Sequence, residues 1–179
     1  FHPSTYAHFV ARKDYRKTYD VYKDDTLLNR QPKKSRKIFV CLDEQRGQYL
    51  VDGLVAMDFP LSSGVKAYPT KTGDYAVISK KEDHTSNLYG KMYDAEGKCI
   101  NYNAESTDPI PEGGRFDGSP MPYWQRLTNA GLGLHVGKVR RHPVSHGCVR
   151  LPRNVAEILY RQTSIGCLLY TSPSPRDRT

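Results

Sequence analysis

The chain has 179 residues and a mass of 20.4 kDa, with 37% hydrophobic and 26% charged residues. That length suits one domain with a real core plus an appendage, and the composition excludes a collagen, a coiled coil and a wholly disordered chain. No apolar run approaches the roughly 18 residues needed to cross a bilayer, so no transmembrane segment is expected. The chain opens on Phe1 and not on Met, so a leader removed earlier would leave no trace in it.

The formal net charge of +8 raises a nucleic-acid reading, and its location decides against it. From Phe1 to Lys37 there are 10 Lys/Arg against 4 Asp/Glu, whereas Ile38 to Gly166 carries 15 against 14. A nucleic-acid groove needs its cations on the folded body. Here they sit in a lead-in, which reads as a solvated basic segment with no nucleic-acid partner. Contact of that segment with an anionic envelope polymer or membrane surface is the further expectation.

Residues 1–37 are polar and rich in Lys and Tyr, and read as a linker or a strap along the domain. Asp25 is the expected cap of one short helix through Leu27 and Leu28, stopped before Pro32. If this segment is only a strap, its removal up to Gln31 leaves the chemistry intact. From Lys37 the pattern turns to strands. Ile38–Leu42 and Gln48–Val51 are apolar runs, and Asp52-Gly53 before Leu54–Met57 is a strong hairpin signal. Tyr75–Ile78 reads as a further strand.

Asp83 to Pro122 is long and rich in Gly, Asn, Asp and Pro. It reads as a lid-like loop with one small hairpin around Ala95-Glu96-Gly97. Two more strands, Tyr123–Leu127 and Leu132–Val136, meet at Asn129-Ala130-Gly131. A late helix is expected over Asn154–Gln162, with Asn154 as N-cap and Glu157 at the capping-box position. The result is a mainly β domain with one late helix and a long lid-like loop.

Residues 167–179, beginning Cys167-Leu168-Leu169-Tyr170 and continuing through Pro173 and Pro175, differ in character from the rest. They read as the in-frame translation of a sequencing adapter, a non-native tail after a catalytic unit at 38–166. Cys167–Tyr170 is nonetheless apolar enough to pair with a sheet, with Pro173 onward expected to hang free. Setting the tail aside leaves Cys41, Cys99 and Cys148. That odd number does not make a complete disulfide framework and leaves room for a working thiol. Cys41 reads as a small core residue, and a Cys41–Cys99 disulfide is a minor alternative.

The chemistry lies in Gly133-Leu134-His135-Val136-Gly137 and in Pro143-Val144-Ser145-His146-Gly147-Cys148-Val149-Arg150. A thiol beside Gly and His, with a second His upstream, supplies the parts for nucleophilic acyl transfer. The thiolate is the nucleophile, and it needs an imidazole or backbone dipoles to form near neutral pH. Gly147 removes side-chain bulk beside the sulfur, so substrate can approach and backbone N–H groups can face an oxyanion. His142, His146, Cys148 and His135 could be mistaken for zinc ligands, but their spacing fits no zinc motif, and no metal or cofactor is expected.

Ser145–Arg150 with upstream Leu134–Gly137 resembles the L,D-transpeptidase catalytic-domain family of bacterial cell-wall enzymes. The likeness runs from about Ile38 to Gly166. It takes in Glu44-Gln45-Arg46, Ser63-Gly64, Pro69–Gly73, Ser86–Gly90 and Met121–Trp124; Val136 and Lys71 stand where relatives often carry Gly and Pro. The resemblance implies a β-sandwich and a cysteine thioester mechanism on peptidoglycan stem tetrapeptides. D-Ala would leave and an acceptor amine would resolve the thioester, in the periplasm or cell envelope, with carbapenems as inhibitors. Water as acceptor would make an L,D-carboxypeptidase, and loss of chemistry would leave an envelope-binding module.

The resemblance implies Cys148 as nucleophile, His135 as base, and the backbone around Gly147 and Cys148 as oxyanion donors. The residues themselves support that choice of base. In an extended segment His146 lies about 7 Å from Cys148, too far for a direct hydrogen bond. His135, on a separate strand, can approach the thiol with its other nitrogen held by a backbone carbonyl. His146 then positions the motif. The candidate substrate-binding set is Arg150, Ser145, Tyr123 and Tyr89. Competing readings are a surface ion pair for Arg150, a turn hydrogen bond for Ser145 and a core position for Tyr123.

Overall fold

A computed structural model describes residues 4–176. Two sheets face each other. The first contains β1 (Tyr22–Lys23), β2 (Arg36–Cys41), β3 (Arg46–Val51), β4 (Leu54–Pro60), β5 (Gly73–Ala76) and β11 (Leu168–Ser172), in the order β1-β4-β3-β2-β11-β5. The second contains β6 (Ser79–Tyr93), β7 (Cys99–Glu105), β8 (Arg115–Arg126), β9 (Gly133–Val136) and β10 (Val149–Leu151), in the order β10-β9-β8-β6-β7. The core lies between them, built from Ile38, Val40, Tyr49 and Met57 on one side and Leu134, Val149 and Leu151 on the other. Helix α3 (Arg153–Gln162) adds Val155 and Leu159.

The β3–β4 hairpin turns at Asp52 and Gly53, both with positive φ (51° and 80°), as a two-residue turn matched to strand twist requires. Helix α3 starts at Arg153, one residue before the expected span, and Asn154 is not its cap. Pro152 holds that position without a side-chain hydrogen bond, because its fixed φ of −57° already suits a helix start. Glu157 reaches forward to Arg161 at 2.8 Å instead of back to the first turn.

The expected lid-like loop at 83–122 is a set of long strands, β6, β7 and β8. The small hairpin is present, turning through Asp94–Lys98. The segment looked like a loop because much of this part of the sheet is wet on both faces, which removes the apolar alternation that marks a half-buried strand. β6 also carries an irregularity between Thr85 and Gly90, so Ser86–Tyr89 leave the ladder with β8.

The N-terminal segment contains α1 (Tyr6–Val10), β1, paired with β4, and α2 (Asp25–Leu28). Asp24, not Asp25, caps α2, its carboxylate accepting from Leu27 N at 3.1 Å. Phe9, Tyr15, Leu27 and Leu28 are buried, so the strap is packed against the body. Part of its charge is neutralised internally, Arg12 pairing with Asp14 at 2.7 Å and Asp20 at 2.9 Å.

Strand β11 lies between β2, to which it is parallel, and β5, to which it is antiparallel. Leu169 is fully buried, and Asp43 N donates to Pro173 O at 3.0 Å. Pro173, Ser174 and Pro175 are exposed, and the end of the expected free tail, 177–179, lies outside the described residues. Cys41 and Cys99 sit in different sheets, and no disulfide joins them.

Candidate active site

The arrangement begins with β9 and β10, which pair in parallel with Val149 opposite Leu134 and Arg150 opposite His135. Cys148 immediately precedes β10, and continuing the register sets it beside Gly133. Side chains alternate along a strand, so positions 133 and 135 share a face. Cys148 and His135 are thus diagonal neighbours on one face of a parallel pair whose strands lie about 4.8 Å apart. Both line one cleft of about 860 Å³, which Ser86–Tyr89 also line.

His135 is only 6% exposed. Its Nδ1 lies 2.6 Å from Val136 O. A carbonyl only accepts, so Nδ1 carries the hydrogen and Nε2 holds the free lone pair. Burial pushes the imidazole down to about 4, against a smaller upward pull from the Val136 carbonyl. The ring is therefore neutral at pH 7.

Cys148 is half-buried, and its Sγ donates to Gly131 O at 3.3 Å. Burial raises its pKa, opposed by the Gly133 N–H and by the charges of Arg126 and Arg150. The resting pair is a neutral thiol beside a neutral imidazole, with an N–H and two guanidiniums placed to favour the thiolate.

The turn that presents the sulfur is tightly held. Gly147 has φ of 122°, a region that favours glycine. Its carbonyl accepts from Thr70 Oγ1 at 2.5 Å, and that hydroxyl accepts from Gly64 N at 2.9 Å. A Cβ on Gly64 would meet Gly147 Cα at 2.7 Å, so the two backbones touch only because Gly64 has no side chain. Ser62 and Arg150 exchange backbone hydrogen bonds at 2.8 and 3.1 Å, and Val65 N donates to Ser145 O at 2.9 Å.

Residues 35–170 match the L,D-transpeptidase catalytic domain, slightly beyond the 38–166 unit read from sequence. The chain belongs to the L,D-transpeptidase catalytic-domain family. It is 31% identical over 114 residues to the probable L,D-transpeptidase 3 of Mycobacterium tuberculosis, covering 60% of this chain and 35% of that protein. Its fold is similar to an L,D-transpeptidase from Mycobacterium smegmatis, with TM-score 0.59, 21% identity, and coverage of 77% of this chain and 58% of that one. It is equally similar to an L,D-transpeptidase solved in complex with imipenem, with TM-score 0.59, 19% identity, and coverage of 77% and 59%. The chain therefore spans less than two thirds of each of these relatives.

Within this L,D-transpeptidase domain, the expected site residues divide into those that face the cleft and those that do not. Arg150 lines the cleft with its stem against Gly137, and among the described residues it has no ion-pair partner, which removes the surface salt-bridge reading. Tyr89 stacks on His146, ring centroids 4.4 Å apart and planes 8° apart, and Tyr68 meets the same imidazole edge-on at 4.9 Å. His146 thus links the β6 irregularity to the motif turn.

Two of the expected substrate-binding residues make contacts of another kind. Tyr123 does not line the cleft. It packs on the core and meets Tyr160 of α3 at 5.5 Å, because Trp124, its strand neighbour, takes the cleft-facing position. Ser145 borders the cleft but is buried, and its Oγ donates to Cys148 O at 2.5 Å and accepts from Gly147 N at 3.1 Å. Its donor is engaged within its own turn. The same bond engages the Gly147 N–H, one of the two expected oxyanion donors.

Sequence reasoning missed Arg126 and Thr70 as site residues and left His84 unplaced. Arg126 lies over Trp124 at 5.4 Å, and His84 stacks on the same indole at 4.7 Å. The strand period was the available signal for Arg126, two residues beyond Trp124. Among the described residues no group of three His, Cys, Asp or Glu side chains forms a metal-ligand set.

Proposed function

We propose that the chain carries out cysteine-dependent L,D-transpeptidation in the cell envelope. The donor is a peptidoglycan stem tetrapeptide, and the product is a cross-link to an acceptor amine. The observation that carries this reading is the Cys148–His135 pair on one sheet face lining a cleft, with His135 held in the tautomer a base requires.

In the first step Cys148 Sγ attacks the carbonyl carbon of the third stem residue while its proton passes to His135 Nε2. The Cys148 N–H is the remaining motif donor for the oxyanion, since Gly147 N is engaged by Ser145. Collapse breaks the C–N bond, D-Ala takes the proton from His135 as it leaves, and a thioester remains. An acceptor amine then attacks the thioester carbonyl and gives its proton to His135. The thiolate is expelled and recovers that proton. A raised thiol and a lowered imidazole make free proton transfer unfavourable, so transfer is coupled to attack. Arg150 and Arg126 supply positive charge for a substrate carboxylate and for the developing thiolate.

Incubation with purified disaccharide tetrapeptides tests the reading. Cross-linked dimer with loss of D-Ala, absent in Cys148→Ala, is expected. Tripeptide alone would assign water as the acceptor, and binding without turnover would leave an envelope-binding module.

A further inference from the structure

Arg141 lies outside the motif, in the loop leading to Cys148, yet it has the most elaborate backbone anchorage of any side chain in that loop. Its own φ is 61°, in the left-handed region. Its guanidinium donates to four carbonyls on two distant segments: Thr18 O at 2.6 Å and Arg16 O in the N-terminal segment, and Glu44 O at 2.9 Å and Gln45 O at 3.3 Å beside β3. A planar fork with five N–H donors can bridge such a set, whereas an ammonium is a point charge with three.

Both receiving segments are themselves fixed. Arg46 and Asp58 form a fully buried ion pair at 2.6 Å. Arg46 also donates to Thr18 O at 2.9 Å and Asp20 O at 3.0 Å, so two guanidiniums share the Thr18 carbonyl. The Asp58 carboxylate accepts from the hydroxyls of Tyr6 at 2.7 Å and Tyr15 at 2.8 Å. Gln45 is the second node. Its Oε1 accepts from Ser63 N at 3.0 Å and its Nε2 donates to Ser63 Oγ at 2.8 Å, while Ser63 O accepts from Val144 N and Ser145 N at 2.9 and 3.1 Å. One frame therefore holds both Arg141 and the start of the catalytic turn.

We infer that Arg141 is a positioning residue through which the N-terminal segment, residues 14–20, sets the loop that presents Cys148. The inference rests on the acyl-transfer reading above. It replaces the expectation that the segment is dispensable. Removing it would strip Thr18 O from Arg46 and Arg141 and the Tyr15 hydroxyl from Asp58, leaving buried charge with fewer partners.

The test uses the full chain and a carbapenem, with the maximal acylation rate separated from the half-saturating concentration and Cys148 alkylation by iodoacetamide measured alongside. Arg141→Ala is expected to lower the maximal rate roughly 10-fold, since small displacements of positioned groups carry such losses. Half-saturation and alkylation should change little, because alkylation needs only an accessible thiol. Arg141→Lys should recover part of the rate. Tyr15→Phe, which leaves Arg141 in place, should show a smaller loss of the same kind, and the double variant should be no slower than Arg141→Ala alone.

Acylation at the wild-type rate in Arg141→Ala would overturn the inference. So would a Tyr15→Phe effect that multiplies independently with it. If Arg141→Ala does not fold, Arg141→Lys and Tyr15→Phe decide by the same ratio of acylation to alkylation. A wild-type chain that is not acylated at all would overturn the acyl-transfer reading itself.

Discussion

Acidification should destabilise this protein through His135 in a window set by its burial. The folded pKa is lowered to about 4 from an ordinary 6.5. Between those values the unfolded chain binds the proton and the folded one resists it, so stability rises with pH there and falls as pH is lowered. At about 1.4 kcal/mol per tenfold change in proton affinity, the interval amounts to about 3 kcal/mol, complete by about pH 4. The assay is urea unfolding of wild type and His135→Gln across this range. Taking the difference cancels, to first order, the carboxylates and other histidines that titrate in both. The wild-type advantage over the variant should be constant above about pH 7 and shrink by about 3 kcal/mol on reaching about pH 4. A difference that stays flat would show that His135 is protonated without cost, and the buried neutral base would be wrong.

Alkylation of Cys148 by iodoacetamide should keep rising with pH beyond the ordinary thiol range, because burial outweighs the Gly133 N–H and the two arginines. A plateau near neutral pH would indicate a resting thiolate–imidazolium pair instead. Leu169→Ala should cost roughly 2–5 kcal/mol in thermal or urea unfolding, since Leu169 is fully buried on a strand between two others. A cost below about 1 kcal/mol would show that β11 is not part of the core. Ser145→Ala removes the bridge between Cys148 O and Gly147 N and should slow acylation more than it raises the half-saturating carbapenem concentration. An effect confined to half-saturation would contradict this and favour a substrate-binding role for Ser145.

The parts of the fold legible in the sequence are those where burial imposes a period. Ile38, Val40, Tyr49 and Met57 mark core strands, and Asp52-Gly53 fixes their turn. β6 and residues 115–122 of β8 were not legible as strands, because residues such as Lys81, Asp83 and Asp117 lie on a sheet with much of both faces in water. In the site, Cys148 and His135 could be paired from the motif and strand logic, and the carbonyl tether on His135 followed from the same reasoning. Tyr123 could not be told from Trp124, since adjacent strand residues face opposite ways and both are aromatic. Thr70 and Arg141 act by hydrogen-bonding backbone carbonyls 77 and 123 positions away, and a carbonyl leaves no mark in a sequence.

The claim that Cys148 is the nucleophile and His135 its base is tested most directly by intact-mass acylation rates with a carbapenem, folding checked in each variant. Cys148→Ala should not be acylated. His135→Ala should be slowed by roughly 10²–10⁴-fold. His146→Ala, which loses the stack on Tyr89 but no base, should be slowed less. A mild His135→Ala effect beside a severe one for His146→Ala, or acylation of Cys148→Ala, would contradict the account.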